Sequence, residues 1–325
     1  HDSDGFARWD ALQSLLVEEG DQLQRGGEVR ALTTEIFGNL ASRALASDNP
    51  EDQFVLAALL TLPDEAYLFE QLDNFDVDAV FAARRQLQDH LAHSHAALWR
   101  ELYDAAHPRG PFAPDATSMA RRALRNAALG YLAASVQGGA LHSLLLDHFS
   151  SADNLTDRRA ALVEMLESES VDASVRETAL AQFYDDWQHD AGVVDMWFSL
   201  QSASSTFSAA DVGRLEEHAA FDARNPNKLR SVYGAFAMRN HRNFHALDGS
   251  GYKFLADRVL KLNATNPQMA ARLLGPLTRW QRYDETRCRL MCAELERLAA
   301  ASDLSKDVYE VVTKSLAPAA GSDLG

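Results

Sequence analysis

The chain has little of what a self-sufficient catalyst needs. Its 325 residues include two cysteines, Cys288 and Cys292. Four apart in a helical stretch, they share one helix face, where backbone geometry rarely lets thiols bridge. They read as reduced thiols of a cytoplasmic protein, and a zinc pair would need further Cys or His ligands at matching spacing. Positive charge is the second deficit: 31 Lys and Arg against 47 Asp and Glu leave a formal net charge of −16. A field of that sign repels nucleic acid and anionic membrane surfaces, so neither is expected as a partner. No apolar run of about 18 residues occurs, so no membrane helix is expected. The chain opens at His1 without Met and without a basic-then-apolar leader, and it reads as a piece of something longer. Phosphate-binding glycine loops and dinucleotide fingerprints are missing as well. So is β-branched alternation, because Val193-Val194 and Val311-Val312 sit inside segments of helical period.

Two clusters come near to chemistry and fall short of it. His90, His93 and His95 are spaced by three and two, with no Glu between them. A zinc peptidase helix needs two His at i, i+4 with a Glu directly after the first, so that one face presents both ligands and the base. A solvated or half-buried helix face explains this trio better, and no metal site is expected in the chain. The run Asp248-Gly249-Ser250-Gly251-Tyr252 puts a Ser between glycines, but a nucleophile elbow needs one residue between each Gly and the Ser. It also lacks the carboxylate pattern of a calcium loop. Asp and two glycines make a tight turn ahead of a helix from Tyr252 to Leu262. No catalytic residue is expected.

What the chain does have is helical period almost throughout. Trp9, Leu12, Leu15 and Leu16 set the pattern; Leu141, Leu144, Leu145 and His148 repeat it, as do Leu255, Val259, Leu260 and Leu262. Prolines fall between periodic segments. Asn49-Pro50, Asn225-Pro226 and Asn266-Pro267 each set an N-cap before a proline in the first turn, where its missing N–H costs nothing. Thr61-Leu62-Pro63-Asp64 and His107-Pro108-Arg109-Gly110-Pro111 read as breaks, the longer irregular connection running from about His107 to Asp115. Short helices of about 11–12 residues with short connections give roughly 16–20 helices in all.

Two of the Asn-Pro segments form a repeat. Asn225-Pro226-Asn227-Lys228-Leu229-Arg230 and Asn266-Pro267-Gln268-Met269-Ala270-Ala271-Arg272 are offset by 41 residues, each with a Gly nine residues on, Gly234 and Gly275. That offset is close to one helix pair of a HEAT or armadillo array. No Gly/Ser-rich linker interrupts the chain, and a repeat array removes the pressure to split because each repeat packs on its neighbours. The fold expected is all-α, an armadillo/HEAT-like superhelical solenoid of antiparallel helix pairs, as one domain over 1–317 with a flexible tail at 318–325.

Each copy also carries an arginine about one and a half turns into its helix. The guanidinium is always charged and its planar fork matches a carboxylate bidentately. Gln268 and Arg272 are i, i+4 and share a face; with repeats stacked in register, Arg230 takes the equivalent face one repeat earlier. Two such forks make a local anion site in a chain of net −16. The other reading is that each arginine pairs with a nearby Asp or Glu.

A resemblance adds to this. Phe6-Ala7-Arg8-Trp9-Asp10-Ala11, Tyr184-Asp185-Asp186-Trp187 and Asp195-Met196-Trp197-Phe198 carry its first part. The stronger part runs through Asn225-Pro226-Asn227, Arg230-Ser231, Gly234-Ala235-Phe236, Phe244-His245-Ala246, Asp248-Gly249-Ser250-Gly251-Tyr252, Asn266-Pro267-Gln268, Arg272-Leu273 and Arg282-Tyr283-Asp284. On these residues the chain resembles the C-terminal domain of the bacterial aminopeptidase N family, zinc-dependent gluzincin aminopeptidases. The resemblance implies a helical domain that closes over the catalytic domain of the same parent chain and walls in its cavity. It places the zinc ligands, the catalytic glutamate and the glutamates that hold the peptide N-terminus outside this chain. It also implies that Arg230, Arg272 and Gln268 bind the C-terminal side of peptide substrates. The competing reading, from another class, is a stand-alone armadillo-like scaffold whose acidic groove binds basic partner segments.

Overall fold

Residues 4–72 and 76–317 are described by the computed structural model. The segment expected to be a flexible tail, 318–325, lies outside them. Among the described residues all regular structure is helical and no strand occurs, as the absence of β-branched alternation requires.

By contacts the chain divides into two compact units: residues 4–72 with 78–186, and residues 76–77 with 187–317. In the first unit the helices are α1 (Gly5–Gln24), α2 (Ala31–Ala46), α3 (Pro50–Leu59), α4 (Glu65–Gln71), α5 (Val77–Ser94), α6 (Ala96–Ala105), α7 (Ala116–Ser135), α8 (Gly138–Ser151), α9 (Leu155–Glu167) and α10 (Ala173–Trp187). The second holds α11 (Ala191–Ala203), α12 (Ala209–Arg214), α13 (Pro226–Leu229), α14 (Ala235–Arg239), α15 (His241–Phe244), α16 (Ser250–Asn263), α17 (Pro267–Leu273), α18 (Glu285–Ala299) and α19 (Lys306–Leu316).

Local sequence explains where these helices start. Asn49 Oδ1 accepts the Glu51 N–H at 2.9 Å, Asn225 Oδ1 the Asn227 N–H at 2.9 Å, and Asn266 Oδ1 the Met269 N–H at 3.2 Å. In all three helices the proline falls in the first turn, so cap and proline together satisfy or remove orphan donors. The irregular connection between α6 and α7 spans the stretch expected to break, and the Phe112 N–H donates to Asp153 Oδ2 at 2.6 Å to hold it down.

Tertiary packing joins mostly helices close in sequence: α2 with α3, α6 with α7, α8 with α9, α16 with α17 and α18 with α19. α3 and α9 both pack on α7, which makes α7 the centre of the first unit. There the Trp99 indole stacks on Tyr131 with ring centroids 4.2 Å apart, and both are buried. Their polar tips are satisfied, Trp99 Nε1 donating to the Leu91 carbonyl at 2.9 Å and Tyr131 Oη to the Leu60 carbonyl at 2.6 Å. Such pairing lets a large aromatic be buried without stranding its donor. The core of the second unit is built on Phe236, Phe244, Tyr252 and Phe254, in edge-to-face contacts at 5.2 to 5.8 Å. The apolar positions of the periodic pattern face inward: Leu12, Leu16, Leu141, Leu145, Leu255, Val259 and Leu262 are buried.

Candidate functional site

The second Asn-Pro segment builds a regular turn. α17 runs from Pro267 to Leu273, buries Met269, Ala270 and Leu273, and leaves Arg272 exposed in its last turn. The first Asn-Pro segment does something different. After one turn of α13 the backbone widens into a π-helical stretch, Arg230–Gly234, before α14 resumes the α pattern. Val232 and Tyr233 are buried in that stretch, and it packs on α11. A single π turn inside a helix is uncommon and recurs at functional sites. Arg230 is its first residue and is exposed.

The two segments meet at a small pocket of about 150 Å³ lined by Arg230, Gly234, Ala237, Met238, Met269, Arg272, Leu273 and Pro276. The pocket brings together Arg230 and Arg272, the two arginines that the 41-residue offset relates. Gln268 is exposed on the first turn of α17 and is not part of the lining. Exposed Met238 and buried Met269 both line the pocket; nothing in the sequence marked them out, since methionines in helical runs are ordinary.

The basic side chains around the pocket differ in how they are partnered. Lys228, two residues before Arg230, is buried with Nζ 2.5 Å from Asp195 Oδ1 and its charge over the Phe198 ring. Arg224, exposed nearby, pairs with Asp222 at 3.0 Å. Arg230 donates to the neutral Asn227 Oδ1 at 2.6 Å. Among the described residues neither Arg230 nor Arg272 forms an ion pair, and Arg272 makes no side-chain hydrogen bond. The alternative of arginines neutralised by neighbouring carboxylates is therefore not what the structure adopts. In a chain with 47 acidic residues against 31 basic ones, two unneutralised guanidinium groups at one pocket leave their forks available to an anion, and a carboxylate matches them best.

The other clusters resolve into structure. His90 Nε2 lies 2.8 Å from Thr34 Oγ1, His95 Nε2 lies 2.8 Å from the Thr34 carbonyl, and His93 Nδ1 lies 2.7 Å from the Asp89 carbonyl. Each ring has its own local partner. No group of three His, Cys, Asp or Glu able to hold a metal occurs among the described residues. Gly249 has φ of +71°, and Asp248 Oδ1 accepts the Ser250 N–H at 2.9 Å, which makes the Asp-Gly-Ser-Gly run a turn leading into α16. Cys288 and Cys292 are free and half-buried; burial raises both thiols above their ordinary range, away from a reactive thiolate.

The family model described as "Domain of unknown function (DUF3458_C) ARM repeats" matches residues 1–317. Aminopeptidase N of Escherichia coli (strain K12) is 38% identical over 324 residues, covering 98% of this chain and 36% of that protein. Aminopeptidase N of Haemophilus influenzae is 37% identical over 322 residues, 96% of this chain and 35% of that protein. The crystal structure of Legionella pneumophila aminopeptidase A in complex with aspartic acid superposes with a TM-score of 0.84 at 27% identity, covering 97% of this chain and 37% of that one. The chain spans about a third of the length of these relatives, in their C-terminal part. The resemblance to the aminopeptidase N family read from the sequence is thus borne out, as is the all-α armadillo-like fold.

Proposed function

This chain belongs to the ARM-repeat family whose model covers residues 1–317, and from that premise we propose that it is the non-catalytic C-terminal domain of an aminopeptidase N. In this reading residues 1–317 work as one part of a cytoplasmic zinc metalloprotease, capping the active site of the catalytic domain in the same parent chain and admitting only flexible peptides. No cluster of metal-ligating side chains occurs among the described residues, and in this reading the ion, its bound water and the base belong to the catalytic domain. This chain contributes positioning. Arg230 and Arg272 hold the carboxylate at the C-terminal side of a short peptide substrate, with Met238, Met269 and Leu273 receiving an apolar side chain and Gln268 at the margin.

The observation that carries this reading is the absence of any ion pair at Arg230 and Arg272 among the described residues, at the rim of one pocket. The same observation argues against the scaffold alternative at this pocket, since a basic segment would meet two unneutralised guanidinium groups. The test is Arg272→Ala in the full-length enzyme. A partly exposed charge-assisted contact of about 1–2 kcal/mol gives a rise of roughly 5- to 30-fold in KM for short peptides with a free carboxylate. Amide reporters without a carboxylate should change little. Equal effects on both substrates refute the carboxylate role, while hydrolysis of an aminoacyl reporter by the pure 325-residue chain refutes the non-catalytic assignment.

A further inference from the structure

The first unit contains a larger cavity, about 490 Å³, between α3, α5, α7 and α9. Its wall is mostly apolar, with Phe54, Leu60, Leu62, Ala127 and the Tyr131 ring contributing surface. Two charged side chains of opposite sign, Glu164 from α9 and Arg84 from α5, line it together. Opposite charges in one cavity ordinarily close on each other, yet here they form no ion pair. Arg84 donates Nε to the Pro63 carbonyl at 2.7 Å and has its paired carboxylate, Glu65, at 3.7 Å. Glu164 has no hydrogen bond and no ion pair among the described residues. A third polar group adds to the imbalance: Asn126 Nδ2 donates to Asp157 Oδ1 at 3.0 Å, but Asn126 Oδ1 is buried with no partner.

The backbone makes room for that carboxylate. Gly130 sits inside α7, where glycine is a poor helix former, and a Cβ there would lie 3.3 Å from Glu164 Oε1. Its carbonyl accepts Gln88 Nε2 at 3.3 Å, so the cavity wall is tied together beside the acid.

We propose that this cavity is a binding site for a small apolar zwitterion, an α-amino acid of the leucine class, with its ammonium on Glu164 and its carboxylate on Arg84. The choice follows from the two charges. A simple cation meets Arg84 and a simple anion meets Glu164; a neutral molecule leaves Glu164 unpaired and Arg84 with only the Pro63 carbonyl and the 3.7 Å contact to Glu65, whereas a molecule carrying both signs adds a partner to each. The apolar wall takes the aliphatic side chain, and the volume falls in the range of small-molecule sites. Burial raises Glu164 to about 7, with Glu167 adding to the effect and Arg84 and Arg85 opposing it. The site therefore gains its negative charge across the neutral range.

The experiment is calorimetric titration of the full 325-residue chain with L-leucine, with 3-methylbutylamine (the same side chain without the carboxylate) and with 4-methylpentanoate (without the ammonium). Leucine is expected to bind at one site and both single-charge analogues at least about tenfold more weakly. Glu164→Gln and Arg84→Met should each weaken leucine about tenfold or more. Affinity should rise about tenfold from pH 6 to pH 8 as the acid ionises, and that rise should vanish in Glu164→Gln. Melting curves of Glu164→Gln, an isosteric change, establish that the variant is folded. Arg272→Ala should leave the binding unchanged. The proposal is overturned by no saturable binding up to about 10 mM leucine, by leucine and the amine binding alike, by a folded Glu164→Gln that binds as the parent chain does, or by binding lost on Arg272→Ala instead.

Discussion

Acidification from pH 7 to pH 5 should remove about 2 kcal/mol of stability through one side chain, His148. Its ring is fully buried in α8. Arg125 Nη2 donates to Tyr103 Oη at 3.0 Å, and Tyr103 Oη lies 2.8 Å from His148 Nδ1. His148 Nε2 is buried without a partner, so a doubly protonated ring would strand an N–H in the core. It would also place a cation beside the Arg125 guanidinium that lies 4.6 Å from the Tyr103 ring centre. Burial, then the Arg125 charge, lower His148 from 6.5 to about 4, with His107 adding a little and Asp157 opposing.

The sign follows directly. The folded state holds the imidazole neutral and the unfolded chain binds the proton more readily, so the stabilisation is complete above the unfolded value of 6.5 and is lost as pH falls toward 4. The full difference corresponds to about 3 kcal/mol, of which about 2 is lost between pH 7 and pH 5. Urea unfolding followed by circular dichroism measures it, comparing the parent chain with His148→Gln at both pH values. The substitution weakens the core at either pH, but the parent chain should lose about 2 kcal/mol more on acidification than the variant does. Equal losses in the two proteins would refute the assignment, because the remaining titrating groups are common to both.

Two further perturbations test the packing. In Gly251→Ala the new Cβ would stand 2.3 Å from the Phe244 carbonyl oxygen and 2.6 Å from its Cα, both backbone atoms that cannot swing aside. A cost of about 3 kcal/mol or more is expected, against near neutrality for Gly139→Ala, where a Cβ meets nothing within 4 Å; thermal melts of the two variants compare them. Arg287 is 1% exposed, donating Nε to the His245 carbonyl at 2.8 Å and Nη1 to Asp284 Oδ2 at 2.8 Å. Arg287→Met strands both acceptors and should cost about 3–5 kcal/mol in chemical denaturation; a loss under 1 kcal/mol would show that water replaces the guanidinium.

Much of this architecture was legible in the residues because it is local. Asn49, Asn225 and Asn266 announce helix starts by short-range chemistry, and the inward face of α16 follows from the spacing of Leu255, Val259 and Leu262. Arg230 and Arg272, related by the 41-residue offset, line one pocket. The π turn at Arg230–Gly234 was not legible: that stretch packs on α11 and its Tyr233 ring meets Phe221 and Phe254, all tertiary facts. The division into two units was equally silent, since it falls within α10 and no linker composition marks it. The cavity around Glu164 draws its wall from four helices, and no spacing rule links residue 84 to residue 164.

Most helices here bury their apolar faces against helices close by in the chain. During synthesis such a molecule need not wait for its last residue before it can hide its first. The Trp99–Tyr131 stack and the α7 neighbourhood can close while the segment bearing Arg230 and Arg272 is still being made. The protein is then exposed to aggregation over short stretches in sequence, and only briefly. An array of this kind completes its helical packing one pair at a time as the chain emerges.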